Sequence, residues 1–174
     1  MLILILGLIC VVNCCNIRPE TIKCDEGWTP IQRKLGGWCV KIKAINTFPG
    51  ETSCYVSGGS DMGVESSDEL TTYMSMMKEM SLESVLIGGR ARADCYCEKE
   101  VCNITENCQI PSVWRWNDGF LVGTEMLNTV TPQFKSENMY GVYLVISVKN
   151  DIGLIDIDYN NGLPSYFFCG KKSN

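Results

Sequence analysis

Eleven cysteines in a chain of 174 residues constrain this sequence more than any other feature. Disulfides form and persist in oxidising compartments, and the N-terminus reads as the route to one. Met1–Cys15 holds thirteen apolar residues and no charge. Its run Leu2–Val12 fits the apolar region of a signal peptide and is too short to span a bilayer. Cleavage after Cys14 would put Val12 and Cys14 at the small-residue positions, whereas cleavage after Cys15 puts Asn13 there. Removal of residues 1–15 leaves eight cysteines: Cys24, Cys39, Cys54, Cys95, Cys97, Cys102, Cys108 and Cys169. Eight is even and allows four bridges. A cut after Cys14 instead leaves Cys15 over, free to bridge to a partner. The spacing Cys95-x-Cys97-x4-Cys102-x5-Cys108 has the look of a metal knuckle, but zinc favours a Cys-x2-Cys pair and an oxidising compartment favours bridges. A Cys95–Cys97 bridge would close a very tight ring, so each is expected to pair with Cys102 or Cys108, in an order the sequence leaves open.

The chain has no histidine. That excludes Ser-His-Asp and Cys-His nucleophilic machinery, His-ligated zinc and imidazole acid–base catalysis. A formal charge of −5 argues against nucleic acid, because phosphate binding needs a surplus of Lys and Arg. The length predicts one domain with a sizeable core. No later apolar run reaches membrane-spanning length, so the mature chain is expected to be secreted and not membrane-spanning.

Cys24–Val40 contains two apolar-rich runs about Gly36-Gly37 and reads as a hairpin. Residues 47–51 open a short helix, with Pro49 near its first turn, and Gly58-Gly59 stop it. A second helix begins at Ser66, with Glu69 completing a capping box. Leu70, Tyr73, Met74 and Met77 follow at i, i+3, i+4 and i+7, one apolar face. Val85–Gly88 is a short buried strand. The cysteine-rich segment 94–108 is a stapled loop that carries the acceptor triplet Asn103-Ile104-Thr105 for N-glycosylation. The chain ends as a meander: Val142–Val148, Leu154–Tyr159, then Ser165–Cys169 after Asn161-Gly162. Helices early and strands late predict an α+β fold.

Several segments resemble the C-type lectin-like domain family, and within it the short secreted nematode members. Gly27-Trp28 with Gly37-Trp38-Cys39-Val40-Lys41 resembles the opening "GW…GxWC" hairpin. Cys54 with Gly58 and Gly59 resembles the end of the first helix. Leu86-Ile87-Gly88-Gly89 resembles the "WIGL" strand, with its first and last letters changed. Trp114-Arg115-Trp116-Asn117-Asp118-Gly119 resembles "WxWxDG", and Phe168-Cys169-Gly170-Lys171 the closing "xCGK". The five occur in the family's order over residues 24–171. The resemblance implies two helices packed on small antiparallel sheets with a long irregular loop region, stapled by Cys24–Cys39 and Cys54–Cys169. The family's second core bridge is missing at both ends: Glu137-Asn138-Met139 lacks the cysteine of "ENC", the literal Glu106-Asn107-Cys108 is out of order, and Leu154–Pro164 has none.

Sugar-binding members of that family hold Ca²⁺ through an "EPN" or "QPD" loop triplet and a downstream "WND". Such an ion needs six to eight oxygens, several from carboxylates. The loop triplet aligns with Thr131-Pro132-Gln133, which has no acid, so calcium is disfavoured. Trp116-Asn117-Asp118 reads "WND" but lies upstream of the long loop, inside the tryptophan motif, where it is expected to serve a turn. The positional counterpart is near Ile155-Asp156-Ile157-Asp158. Asp156 and Asp158 alternate with apolar residues and share one face of a strand: a solvated sheet face, or an ion or ligand site with Gln133, Glu137 or Asn138. Trp28, Trp38, Trp114 and Trp116 occupy packing positions, whereas Phe134, Tyr140, Tyr143 and Tyr159 lie nearer the implied ligand face.

The resemblance implies a secreted lectin-like module that recognises a glycan or another surface ligand, in a role such as host defence. The candidate ligand residues are Gln133, Phe134, Glu137, Asn138, Asp156 and Asp158. An alternative is a protein-interaction domain, on the same scaffold, for a cell-surface or secreted protein. A two-carboxylate glycosidase ranks last, since only Asp156 and Asp158 converge, and no enzymatic activity is expected.

Overall fold

The structure, a computed structural model, describes residues 21–45, 52–91, 114–121, 123, 125–129, 143–149, 152–158 and 164–174. Strands β1 (Thr29–Arg33) and β2 (Gly36–Ala44) form the N-terminal hairpin, with Arg33 opposite Gly36. The turn is Lys34-Leu35, two residues earlier than Gly36-Gly37. Gly36 instead starts β2 at φ +118°, a backbone conformation that favours glycine. Cys24 bridges Cys39, as the family resemblance implies.

Helix α1 (Thr52–Tyr55) is a single turn. It closes as a Schellman motif: the Gly59 N–H donates to Cys54 O at 3.0 Å and the Gly58 N–H to Tyr55 O at 2.8 Å. Gly58 sits at φ +69°, so the expected double-glycine stop is present. The expected opening at 47–51 lies outside the described residues. After the short strand β3 (Ser60–Asp61) comes α2 (Ser67–Glu79), capped by Ser66, whose side chain accepts from Glu69 N at 3.2 Å. The reciprocal half of the capping box is absent. The Glu69 carboxylate is buried and accepts instead from the Glu65 N–H at 2.7 Å and from Arg33. A buried cation draws that side chain inward, away from the helix end. Tyr73 and Met77 are buried on the inner face, and Leu70 packs against the same core.

Strand β4 (Ser84–Ile87) joins the main sheet, while β5 (Gly89–Ala91) pairs with β6 (Trp114–Trp116) in a second sheet. Gly88 is the break between them. Its N–H donates to Met62 O at 2.6 Å and its carbonyl accepts from Asn117 N at 2.8 Å. A 3₁₀ helix (Glu125–Thr129) and strands β7 (Tyr143–Lys149), β8 (Ile152–Asp158) and β9 (Tyr166–Lys172) complete the described elements.

The main sheet runs β1-β2-β9-β4-β7-β8, with β3 also paired to β9. The expected terminal meander is therefore only half right. Strands β7 and β8 form the hairpin, but β9 inserts between β2 and β4 and runs parallel to β4 at Leu86–Phe167. The physical reason is burial. Phe167, Phe168, Cys169 and Gly170 are consecutive and all buried, so both faces of β9 need cover, which a central strand has and an edge strand lacks. The fold is α+β as expected. Among the described residues the two expected helices are one full helix and one single turn, and the sheets are a large mixed sheet and a small antiparallel one, in place of small antiparallel sheets alone.

One core lies between α2 and the sheet, where Tyr73 stacks on Phe168 with ring centroids 4.3 Å apart. A smaller one, on Leu86, Val145 and Phe167, occupies the opposite face around Cys54–Cys169. That bridge spans 115 residues, and the chain-entropy model gives it about 5 kcal/mol through the unfolded state.

Candidate functional site

The residues expected to contact ligand fall into two groups. Gln133, Phe134, Glu137 and Asn138 lie outside the described residues, as do Thr131, Pro132, Tyr140, Tyr159, the Cys95/Cys97/Cys102/Cys108 cluster and Asn103. Asp156 and Asp158 lie on β8, where the register puts them opposite Val145 and Tyr143. The two strand positions share a face.

The described elements on either side of segment 130–142 both meet β8. Before it, the 3₁₀ helix is anchored by buried Met126 and Leu127 and packs on β8. After it, β7 begins at Tyr143, the partner of Asp158. The chain thus leaves for the segment from beside the strand that carries both acids, and returns opposite one of them.

The "WND" aspartate belongs elsewhere. Asp118 is 3% exposed. Its Oδ1 accepts from the Phe120 and Leu121 amides at 3.1 and 2.9 Å, a local turn. Its Oδ2 accepts from Gly63 N at 3.2 Å and from Arg33 Nη1 at 3.0 Å. Four donors occupy this carboxylate, so it has no free oxygen to offer a hard cation. Among the described residues no cluster of acids, cysteines or histidines is arranged to hold a metal.

Arg33 is the hub of this buried network. Its Nη2 donates to Glu69 Oε1 at 2.7 Å and to Gly63 O at 3.0 Å, its Nε to Glu69 Oε1 at 3.1 Å, and its guanidinium lies 5.0 Å from the Trp38 ring centroid. The Tyr73 hydroxyl donates to Glu69 Oε1. One cation faces two carboxylates, and amide donors from Gly63, Glu65, Phe120 and Leu121 balance the excess negative charge. Burial lowers the Arg33 pKa, but the opposing charges of this network outweigh it and the net shift is upward. Burial first, and then the Glu69 charge, holds the Tyr73 hydroxyl well above its usual value. The arrangement ties the β1 end, the start of α2 and the turn after β6 together; it is structural.

Sequence reasoning missed this hub, though a signal was there. Ile31 and Arg33 stand two apart on one strand, so the face that buries Ile31 must also receive Arg33. The tryptophans behave as expected. Trp38 and Trp114 are buried, Trp116 lies against Gly63, and half-buried Trp28 packs beside the smaller core with Lys171 Nζ 4.7 Å from its ring centroid. The side chains of Trp114 and Trp116 are thus engaged in packing.

No family model matches the sequence, and no curated protein sequence matches it. Solved structures do match the fold. A calcium-independent type II antifreeze protein is 19% identical, with a TM-score of 0.57 over 89% of this chain and 98% of that one. The cow C-type carbohydrate-recognition domain of CD23, solved in the presence of GlcNAc2Man3 oligosaccharide, is 12% identical, with a TM-score of 0.53 over 88% and 98%. SPL-1 in complex with GlcNAc is 18% identical, with a TM-score of 0.54 over 91% and 98%.

Proposed function

We propose that this chain, whose fold is that of the C-type lectin-like domains, is a secreted binding module. It recognises a glycan at Gln133, Phe134, Glu137 and Asn138 together with Asp156 and Asp158, without a bound calcium ion. The observation that carries this reading is the meeting of both flanks of segment 130–142 with β8, the strand of Asp156 and Asp158. Carboxylates accept from sugar hydroxyls directly, and the missing acid in Thr131-Pro132-Gln133 removes the oxygen that a shared ion would need. Commitment of Asp118 to Arg33 takes the one literal "WND" out of contention.

Secretion is supported by the two bridges, which favour an oxidising compartment, and by the apolar start of the chain. No helix among the described residues is long and apolar enough to cross a membrane. Within this reading Asn103 carries an N-linked glycan, Cys95, Cys97, Cys102 and Cys108 form two further bridges, and the module has no catalytic role.

The test is a glycan array probed with the disulfide-intact chain in calcium and again in EDTA. Binding to the same glycans in both buffers is expected. Binding only in calcium would overturn the ion-free site. Binding to no glycan in either buffer would favour the protein-interaction reading of the same scaffold.

A further inference from the structure

The structure describes a second concave site that the reading above does not use. A cavity of about 540 Å³ lies between the C-terminal half of α2 and the end of β7, bounded by Met74, Lys78, Ser81, Leu82, Glu83 and Val148. That volume falls among sites that take small molecules. It is separate from the acids of β8: Val148 lies three and five residues along β7 from Val145 and Tyr143, the partners of Asp156 and Asp158, separations of roughly 10 and 17 Å.

Its lining is of two kinds. Met74, Leu82 and Val148 form an apolar floor, and Met74 is seated over Gly153 of β8, where a Cβ would fall 2.2 Å from its sulfur. Lys78 and Glu83 are exposed at the rim, and no ion pair joins them. Ser81 adds a separate observation. It sits at φ +57°, the one non-glycine residue at positive φ among the described residues. The Ser81 N–H donates to Lys78 O at 3.1 Å and the Leu82 N–H to Met77 O at 2.9 Å, so Ser81 holds the helix-stop position that glycine usually fills. A side chain there costs about 1 kcal/mol. The serine keeps a hydroxyl at the cavity wall that glycine would lack.

We infer that this cavity binds a neutral saccharide of one or two rings. An anionic ligand would meet Glu83, and a cationic one Lys78. A neutral polyol uses both, since each hydroxyl donates to the carboxylate or accepts from the ammonium, and its C–H face lies on Met74 and Leu82. The Ser81 hydroxyl supplies a third polar contact.

The test is an amide-resolved NMR titration of the disulfide-intact chain with N-acetylglucosamine and with methyl α-mannoside. Saturable shifts at Ser81, Leu82, Glu83 and Val148 are expected with at least one sugar. Ser81→Gly relieves the strain, so it should fold at least as stably yet bind about tenfold more weakly, the loss of one polar contact to a ligand. Ser75→Trp, at an exposed helix position bordering the cavity, should block binding with the fold intact. Absence of saturable shifts at these amides, shifts confined to Tyr143 and Asp158, or undiminished binding in both variants would overturn the inference. The per-residue readout separates this site from the one on β8, so either can fail without the other.

Discussion

Replacing Asp118 by alanine separates a fold-holding aspartate from a ligand-holding one. The carboxylate accepts from Arg33 Nη1 at 3.0 Å, Gly63 N at 3.2 Å, Phe120 N at 3.1 Å and Leu121 N at 2.9 Å. Removing one partner of a buried ion pair costs about 3–5 kcal/mol. Arg33 retains Glu69, so the residual charge is paired and the lower end, about 3 kcal/mol, applies. Phe120 is exposed, and water can replace the acceptor for the turn amides. Gly63 is buried, and its stranded N–H adds about 1 kcal/mol. The sum, about 4 kcal/mol, is a large share of the 5–15 kcal/mol that a domain of this size has, and at 2–4 °C per kcal/mol it lowers Tm by roughly 10 °C. Urea unfolding with the disulfides intact should show a lower midpoint and an unchanged m-value, and the folded fraction should bind ligand as the wild type does. A loss under about 1 kcal/mol, or retained stability with binding abolished, would refute the reasoning.

Ser81→Gly should raise stability by about 1 kcal/mol in the same urea experiment, because it removes a side chain from φ +57°; a neutral or negative effect would mean the turn is not strained. Tyr73 has its folded pKa raised above the ordinary 10.0, so its contribution is fully present below pH 10 and is lost as pH climbs from there toward the folded value. Stability should therefore fall by about 1.4 kcal/mol per pH unit above pH 10 through this group, and comparison of alkaline unfolding curves should show that Tyr73→Phe lacks that component. EDTA should leave Tm unchanged in scanning calorimetry, whereas a structural calcium present at a thousand times its Kd would add about 4 kcal/mol; a calcium-dependent rise in Tm would contradict the ion-free reading.

Local signals in the sequence translated well where a few neighbouring residues decide the structure. Gly58-Gly59 closes α1, Ser66 caps α2, and the Tyr73 and Met77 face turns inward. Cys24–Cys39 was legible from the hairpin that it closes, whereas Cys54–Cys169 was legible only through the resemblance, since spacing alone permits many pairings. What sequence order could not supply was the partner across space. β9 looked like the third strand of a meander because Asn161-Gly162 precedes it, yet burial on both faces sends it between β2 and β4. Glu69 looked like half of a capping box because capping is local, yet Arg33, 36 residues away, draws it inward. Of the candidate ligand residues, the strand placement of Asp156 and Asp158 was legible: both fall on β8, opposite Val145 and Tyr143, as their alternation with apolar residues implied.

The claim that this fold binds glycan through the acids of β8 without calcium is tested most directly by one affinity measurement. The Kd of the best array glycan is determined in EDTA for the wild type and for the doubly substituted Asp156→Asn, Asp158→Asn chain. The wild type should bind as tightly in EDTA as in calcium, and the variant about tenfold or more weakly, since two charged acceptors are lost. Loss of wild-type binding in EDTA, or equal Kd values for the two chains, would contradict the account.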